Sequence, residues 1–217
     1  MQHANILKVN EIFYSIQGES TFAGLPCVFV RLTGCNLRCS YCDTTYAYEE
    51  GEDKSIEDIM ECVARFNCFL VEITGGEQLL QKSLPLLVDH LLRANHQVLI
   101  ETNGSLDIRS LNSASIKILD IKCPSSGMSA NMDLANLTRL SQHDQVKFVI
   151  GTREDFLWAK DLCQYFDLLG NRQILFSPVF GQLSPEELAK WILTDHLKVR
   201  LQLQLHKYIW SPGQRGV

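Results

Sequence analysis

The hydrophobic positions of the chain fall into short apolar runs that alternate with longer segments of helical period. The runs are rich in Val, Ile, Leu and Phe and are bounded by Gly, Pro, Asn or Asp, which is typical of buried β-strands. The predicted strands are residues 28–32, 69–73, 98–101, 116–121, 146–150, 173–176 and 199–203.

Four intervening segments have the 3.6-residue apolar period of helices packed on a sheet. They are residues 56–66, 78–94, 153–168 and 185–197. Ser55 is the expected N-cap of the first, with Asp58 in the capping-box position. Pro85 predicts either a kink or a late start in the second, and Pro185 suits the first turn of the fourth. Segments 104–115 and 125–140 fit either loops or short helices.

Strands that alternate with helices predict a parallel sheet joined by right-handed crossovers, hence an α/β fold. Periodicity alone leaves two architectures open, a doubly wound open sheet and an incomplete barrel. In both, ligands bind at the carboxyl ends of the strands, on the loops that follow them. The loops of interest are residues 33–54, 74–78, 102–107, 122–128, 151–153 and 177–183.

Composition limits the class of protein. The chain has 217 residues, 46% of them hydrophobic and 21% charged, which fits one folded domain over residues 1–217 and argues against disorder. The net charge of -5 argues against broad electrostatic binding of nucleic acid. No apolar run approaches the ~20 residues of a membrane helix, and the N-terminus lacks a signal-peptide pattern. We therefore expect a cytoplasmic globular protein with no membrane and no direct nucleic-acid partner.

Cysteine is unusually frequent, with eight residues, and three of them form one cluster in the predicted loop 33–54. Cys35, Cys39 and Cys42 have CxxxCxxC spacing. In a reducing compartment clustered thiols more often hold a metal than form disulfides. Three thiolates suit a [4Fe–4S] cluster and leave one iron open to another molecule.

Two rival sites stay open at this point. A structural zinc site normally has four closed ligands, but the chain has a single CxxC pair. A closed four-cysteine cluster would need a distant thiol such as Cys123, which precedes a proline as in some ferredoxins. The remaining cysteines fit small buried hydrophobes. These are Cys27, Cys62, Cys68 and Cys163.

The CxxxCxxC motif, with Tyr41 before its last cysteine, resembles the signature of radical S-adenosylmethionine (SAM) enzymes. Thr74-Gly75-Gly76-Glu77 follows a predicted strand and is similar to the SAM-binding GGE motif of that superfamily. The resemblance implies a radical SAM core, which is an incomplete TIM-like barrel of parallel strands. It also implies a [4Fe–4S] cluster and SAM as cofactors.

Further motifs resemble the 7-carboxy-7-deazaguanine synthase family of queuosine biosynthesis, a tRNA modification pathway. They are residues 13–20 (FYSIQGES), 30–32 (VRL), 42–44 (CDT), 101–104 (ETNG), 120–125 (DIKCPS) and 205–208 (LHKY). The family converts 6-carboxy-5,6,7,8-tetrahydropterin to 7-carboxy-7-deazaguanine with loss of ammonia. It is a carbon–nitrogen lyase that uses SAM catalytically, by way of a 5′-deoxyadenosyl radical.

The resemblance also implies roles for individual residues. The cluster ligands would be Cys35, Cys39 and Cys42, and Thr44 would bind magnesium. The SAM contacts would be Tyr41, Cys42, Asp43, Gly76, Glu77, Lys122, Cys123, Pro124 and Ser125. The substrate contacts would be Ile16, Gln17, Gly18, Glu19, Arg31, Thr74 and His206.

Some of these residues have a structural alternative. Glu77 equally suits the start of the following helix. Arg31 is a lone charge in an apolar strand and needs a partner, either a salt bridge or a substrate carboxylate. The resemblance favours the substrate.

Partners follow from the same resemblance. We expect a homodimer, a small pterin substrate and a reducing protein such as flavodoxin or ferredoxin. An alternative function is a small radical SAM activase that makes a glycyl radical on a partner enzyme, but residues 15–19 and Arg31 are then unexplained.

Overall fold

The computed structural model describes residues 5–217, in which nine strands form one sheet with the order β3-β1-β2-β4-β5-β6-β7-β8-β9. The neighbours from β2 to β9 are parallel, whereas β1 is antiparallel to both β2 and β3. The sheet is open, so the predicted incomplete barrel of mostly parallel strands is confirmed. The strands are β1 (Ile6–Ile16), β2 (Pro26–Leu32), β3 (Glu52–Ser55), β4 (Leu70–Gly75), β5 (Gln97–Thr102), β6 (Ile116–Ile121), β7 (Gln145–Ile150), β8 (Gln173–Pro178) and β9 (Arg200–Leu201).

Strands β1 and β3 were not predicted from the sequence. In β1 the buried Leu7 and Val9 alternate with polar or exposed neighbours, and Asn10 and Glu11 interrupt the apolar run at a register shift. A half-buried strand of this kind gives a much weaker signal than the continuous apolar runs of the parallel strands. Residues 1–4 lie outside the described residues. They belong to the predicted domain 1–217 and to the N-terminal segment that is predicted to lack a signal-peptide pattern.

Four of the helices match the predicted segments. Ser55 and Asp58 form the expected capping box, and Pro85 lies in the first turn, so the second helix starts late rather than kinks. Segments 104–115 and 125–140 form short 3₁₀ helices and the single turn α3. Within residues 5–217 no helix is both long and apolar enough to cross a membrane. The helices are α1 (Ile56–Ala64), α2 (Leu84–Arg93), α3 (Asn136–Arg139), α4 (Arg153–Tyr165), α5 (Pro185–Thr194) and α6 (His206–Ile209).

The two faces of the sheet differ in chemistry. One face, here called the helix face, packs strand residues such as Ile73 and Phe148 with residues of α1, α2, α4 and α5 in the main apolar core. The opposite face, here called the cavity face, has a smaller apolar cluster that includes Phe29, Leu70 and Leu99. Farther along the same strands this face becomes polar. Its polar residues are Arg31, Glu72, Thr74, Glu101, Asp120 and Lys147.

Candidate active site

A cavity of about 480 Å³ lies over the polar part of the cavity face, at the carboxyl ends of the parallel strands. This is where parallel α/β sheets place their ligands. The structure brings together residues that are far apart in sequence, including the cysteine loop, β1 and the C-terminal helix. The predicted site residues that line it are Ile16, Gln17, Gly18, Glu19, Arg31, Cys35, Cys39, Tyr41, Cys42, Asp43, Thr44, Thr74, Gly76, Lys122 and His206.

The three cysteines of the CxxxCxxC motif all line this cavity and are partly exposed to it. They are free thiols that interact electrostatically with one another. Burial raises the pKa of Cys35 and of Cys39, and Lys122 opposes that rise. The backbone N–H of Leu37 donates to the Cys35 Sγ at 3.4 Å, a contact that stabilises a thiolate.

This donor set fits an iron–sulfur cluster. Thiolates are the ligands of such clusters, and a cubane spreads its cysteines over different iron corners. A single ion would instead need its ligands gathered around one point. Among residues 5–217, no three His, Cys, Asp or Glu side chains are grouped in that way.

Gly76 packs directly against the cysteine loop. A Cβ atom at position 76 would collide with the Gly34 carbonyl and would lie 2.8 Å from the Cys35 Cβ. The Glu77 N–H also donates to the Gly34 carbonyl at 2.6 Å. The absence of a side chain at 76 therefore lets the loop after β4 approach the cysteine loop closely.

The Glu77 carboxylate is fully buried and bonded to the protein itself. It accepts hydrogen bonds from the Thr102 hydroxyl at 2.9 Å, from Asn103 N at 2.7 Å and from Leu79 N at 3.1 Å. Glu77 is not among the described residues that line the cavity. The structure thus gives this residue a role in joining the loops after β4 and β5, and its contact with SAM stays a prediction.

The predicted SAM loop 122–125 divides in a similar way. Lys122 lines the cavity and pairs with Asp120 at 3.0 Å, whereas Cys123 is fully buried in the main core. Ser125 donates its hydroxyl to Asp155 at 2.5 Å, and its carbonyl accepts from the Ser40 hydroxyl at 2.8 Å. The loop therefore contacts the cysteine loop directly through a hydrogen bond. Among the described residues, Cys123, Pro124 and Ser125 do not line the cavity.

Residues on either side of the last cysteine are fixed by the protein. The Tyr41 hydroxyl donates to the Val149 carbonyl at 3.4 Å. Asp43 pairs with Lys207 at 2.6 Å and accepts from the Thr44 hydroxyl at 3.0 Å. Burial alone would raise the pKa of Asp43, but Lys207 and these hydrogen bonds lower it to about 2. This contact fastens the C-terminal helix to the cysteine loop.

The residues of the predicted substrate stretch are held by contacts within the protein. The Gln17 side-chain oxygen accepts from the Glu19 N–H at 2.9 Å, and the Gln17 amide group donates to Glu72. A Cβ at Gly18 would collide with the His206 ring, so glycine is needed for the C-terminal helix to pack here. Burial lowers the pKa of His206, which favours the neutral imidazole.

Arg31 lies between two aromatic rings and one acid. Its Nε donates to the Glu11 Oε1 at 2.7 Å, and its guanidinium is 5.7 Å from the Phe13 ring centre and 5.8 Å from that of Tyr46. One of the two predicted partners, a salt bridge, is therefore present. Contact of the guanidinium with a substrate carboxylate stays a prediction.

A buried charge network in the same cavity was not predicted from the sequence. Lys147 is 4% exposed at its side chain and contacts three carboxylates, with Glu19 at 2.7 Å, Asp120 at 3.2 Å and Glu101 in direct contact. Burial alone would lower the pKa of Lys147, but these acids raise it well above its ordinary value. The sequence does contain a signal for this network. The strands that contribute to it have a charged residue at an alternate position of an otherwise apolar run, as the strand of Arg31 does.

Comparisons with known proteins agree with this geometry. Residues 29–122 match the Radical SAM superfamily. The chain is 49% identical to 7-carboxy-7-deazaguanine synthase of Chlorobaculum tepidum, with 97% of both chains covered. It is 40% identical to that of Koribacter versatilis, with 97% of this chain and 100% of the relative covered.

The fold is also similar to that of solved structures. The crystal structure of QueE from Escherichia coli has a TM-score of 0.75 and 24% identity, with 91% of this chain and 94% of that chain covered. Streptococcus suis SuiB bound to SAM has a TM-score of 0.57, with 78% of this chain and 48% of that one covered. The near full-length similarity to curated relatives, together with the cysteine loop at the cavity, shows that the chain belongs to the 7-carboxy-7-deazaguanine synthase family of radical SAM enzymes.

Proposed function

We propose that the protein is a radical SAM carbon–nitrogen lyase that converts 6-carboxy-5,6,7,8-tetrahydropterin to 7-carboxy-7-deazaguanine with loss of ammonia, in queuosine biosynthesis. The observation that carries this proposal is that the CxxxCxxC loop and the buried polar network of the cavity face line the same cavity. The identity of the curated relatives over nearly the full chain supports the synthase over the alternative glycyl-radical activase. We also propose that residues 1–217 form one domain.

The cofactors of the family are a [4Fe–4S] cluster and SAM, which when bound supply one-electron chemistry that activates a carbon–hydrogen bond. We propose Cys35, Cys39 and Cys42 as the cluster ligands. Tyr41, Asp43, Gly76 and Lys122 line the part of the cavity next to these thiols, which supports them as SAM contacts. The proposed SAM contacts also include residues that do not line the cavity. These residues would reach SAM only if their loops moved, or would act on it through neighbouring residues. They are Glu77, Cys123, Pro124 and Ser125.

The protein's own part is to bind and orient the pterin and to keep water out. We propose that the carboxylates of Glu19 and Glu101 accept hydrogen bonds from the guanidine-like edge of the ring, since Lys147 holds both in place. Gln17 and Gly18 face the same cavity, with Ile16, Thr74 and His206 around them. Arg31 would pair with the substrate carboxylate.

Magnesium, assembly, location and electron supply are also proposals. Thr44 offers a hydroxyl at the cavity, and magnesium prefers oxygen ligands together with water and substrate oxygens. By resemblance to the family we propose a cytoplasmic homodimer that takes electrons from a flavodoxin or ferredoxin and does not bind nucleic acid directly. The acidic net charge of -5 is consistent with an enzyme that acts on a small molecule.

An anaerobic turnover assay tests the function. Protein reconstituted with iron and sulfide should contain about four irons per chain. With reductant, magnesium and SAM it should convert the carboxytetrahydropterin to the deazaguanine. Bound zinc without iron would contradict the cofactor assignment. An intact cluster that cleaves SAM but makes no deazapurine would instead contradict the substrate assignment.

A further inference from the structure

Glu72 is a carboxyl group of the cavity face that forms no ion pair within residues 5–217. It lies on β4, is 3% exposed and lines the cavity. The other acids that line the cavity each pair with a lysine. Asp43 pairs with Lys207. The other three acids pair with Lys147, and they are Glu19, Glu101 and Asp120.

The hydrogen bonds of Glu72 leave one of its oxygens free. The amide group of Gln17 donates to Oε2, which fixes the orientation of both side chains. Oε1 has no hydrogen-bond partner in the described part of the chain. A buried carboxylate without a cation and with one hydrogen bond is costly, so such a group normally holds a proton instead.

On balance, the groups around Glu72 favour the protonated state. They are Cys27 on β2, Glu101 on β5, Lys147 on β7, and Gln17 and Glu19 in the loop after β1. Burial, Glu101 and Glu19 raise the pKa of Glu72 well above its ordinary value, and Lys147 and Gln17 oppose this only in part. Lys147 is already shared among three carboxylates, so it compensates a fourth negative charge poorly.

We propose that Glu72 carries a proton in the resting enzyme and donates it in a hydrogen bond to the ring carbonyl of the bound pterin. This rests on the proposed function. A pterin presents donors on its amino-bearing edge and an acceptor, the carbonyl, directly beside them. Glu19 and Glu101, which both contact Lys147, match the donors, and a neutral acid at position 72 matches the acceptor. Glu72 is then a specificity residue that selects an oxo group over an amino group at this ring position.

The consequence is a pH dependence with a defined sign. The hydrogen bond is present below the pKa of Glu72 and is lost as the pH rises through it, because the carboxylate then faces a carbonyl oxygen. Glu72→Gln keeps a donor and an acceptor in the same place without titrating. Glu57→Gln, on the exposed side of α1, is the matched control for the same chemical change.

The test measures pterin affinity by anaerobic calorimetry on the cluster-loaded enzyme with SAM and no reductant, from about pH 6 to about pH 9. The wild type and Glu57→Gln should bind more weakly as the pH rises, by about tenfold across the range. Glu72→Gln should bind within about threefold of the wild type near pH 6 and should lose most of the pH dependence. A variant that binds at least about tenfold more weakly near pH 6, or that keeps the full pH dependence, overturns the proposal.

Infrared difference spectra between the wild type and each variant report the protonation of Glu72 without the pterin. The ligand-free enzyme near neutral pH should show the carbonyl stretch of a protonated carboxylic acid, and Glu72→Gln should lack that band while Glu57→Gln retains it. If Glu72→Gln does not remove such a band, Glu72 is ionised and the inference is wrong even if the enzyme makes deazaguanine. If the band is present but the wild type binds no pterin, the proposed function fails instead.

Discussion

Phe148 and Lys147 are neighbours on β7, yet they lie on opposite faces of the sheet and are held by different forces. Phe148 is fully buried on the helix face. Its ring makes edge-to-face contacts with Trp158 and Phe176, with ring centres 6.4 and 5.6 Å apart respectively. Lys147 is almost equally buried on the cavity face, but among carboxylates. The helix face therefore depends on packing and the cavity face on charge balance, and only the second changes with pH.

The largest expected effect is on the cluster. Cys39→Ala should abolish cluster binding and lower turnover by at least about a thousandfold, because no other residue replaces the cofactor chemistry. Cys62→Ser on α1 is the control, and it should keep its iron. Iron content and visible absorption after reconstitution check both variants. Full iron in Cys39→Ala would show that this cysteine is not a ligand.

Phe148→Ala tests the helix face. The variant should lose about 3–5 kcal/mol of unfolding free energy, since it removes a large side chain from a packed core. The loss should be the same near pH 6 and near pH 8, because no charged group is involved. Anaerobic urea unfolding at both pH values measures it. A loss that varies strongly with pH would contradict the distinction between the two faces.

Lys147→Met tests the cavity face at the adjacent position. Burial raises the pKa of Glu19 and Lys147 lowers it, so removal of the lysine should let this buried carboxyl take up a proton at a higher pH than in the wild type. The variant should lose about 3–5 kcal/mol near pH 8, because the buried Glu19 and Glu101 lose their cation and Asp120 keeps only Lys122. The loss should be smaller toward pH 5, where the unpaired carboxyls take up protons. The same unfolding experiment applies. Equal losses at both ends of the range would show that packing dominates on this face too.

Arg31→Ala should change substrate binding more than stability. Loss of a charge-assisted hydrogen bond to the substrate carboxylate should raise the KM for the pterin about tenfold to a hundredfold, with the visible absorption of the cluster intact. Arg65→Ala, on the exposed end of α1, should leave KM unchanged. An Arg31→Ala protein that cannot hold its cluster would indicate that the pair with Glu11 is structural.

The last expected effect is on stability at position 72, and it grows with pH. The raised pKa of Glu72 means that the folded state binds a proton that the unfolded state releases. Wild-type stability should therefore fall as the pH rises above about 4.5, and Glu72→Gln should not share that fall. The variant should therefore gain stability relative to the wild type steadily between about pH 5 and about pH 8. Thermal unfolding at several pH values measures the difference, and parallel curves would contradict it.

Much of the fold was predictable because continuous apolar runs and capped amphipathic segments are local signals. The runs gave the parallel strands, and Ser55 and Pro85 gave two helix starts. Strand β1 was missed because its stability comes from pairing with β2 and β3 rather than from its own pattern. The kink-or-late-start question at Pro85 needed the structure, since both fit the same residues.

The site was predictable where spacing along the chain carries the chemistry, as in the cysteine motif. It was not predictable where partners come from different strands. Lys147 meets Glu19 and Glu101 only because β5 and β7 bring them to the same cavity. Glu77 shows the converse, because a motif residue turns out to be bonded within the protein. A search for charges at alternate positions of every apolar strand would have found most of the network.

The most direct test of the central claim counts deazaguanine formed against SAM consumed by the reconstituted enzyme under reducing conditions. We expect many products for each SAM lost, because in the proposed reaction SAM is used catalytically. Loss of one SAM per reductive event with no deazapurine would contradict it, and would leave the cavity face as the site for a different substrate.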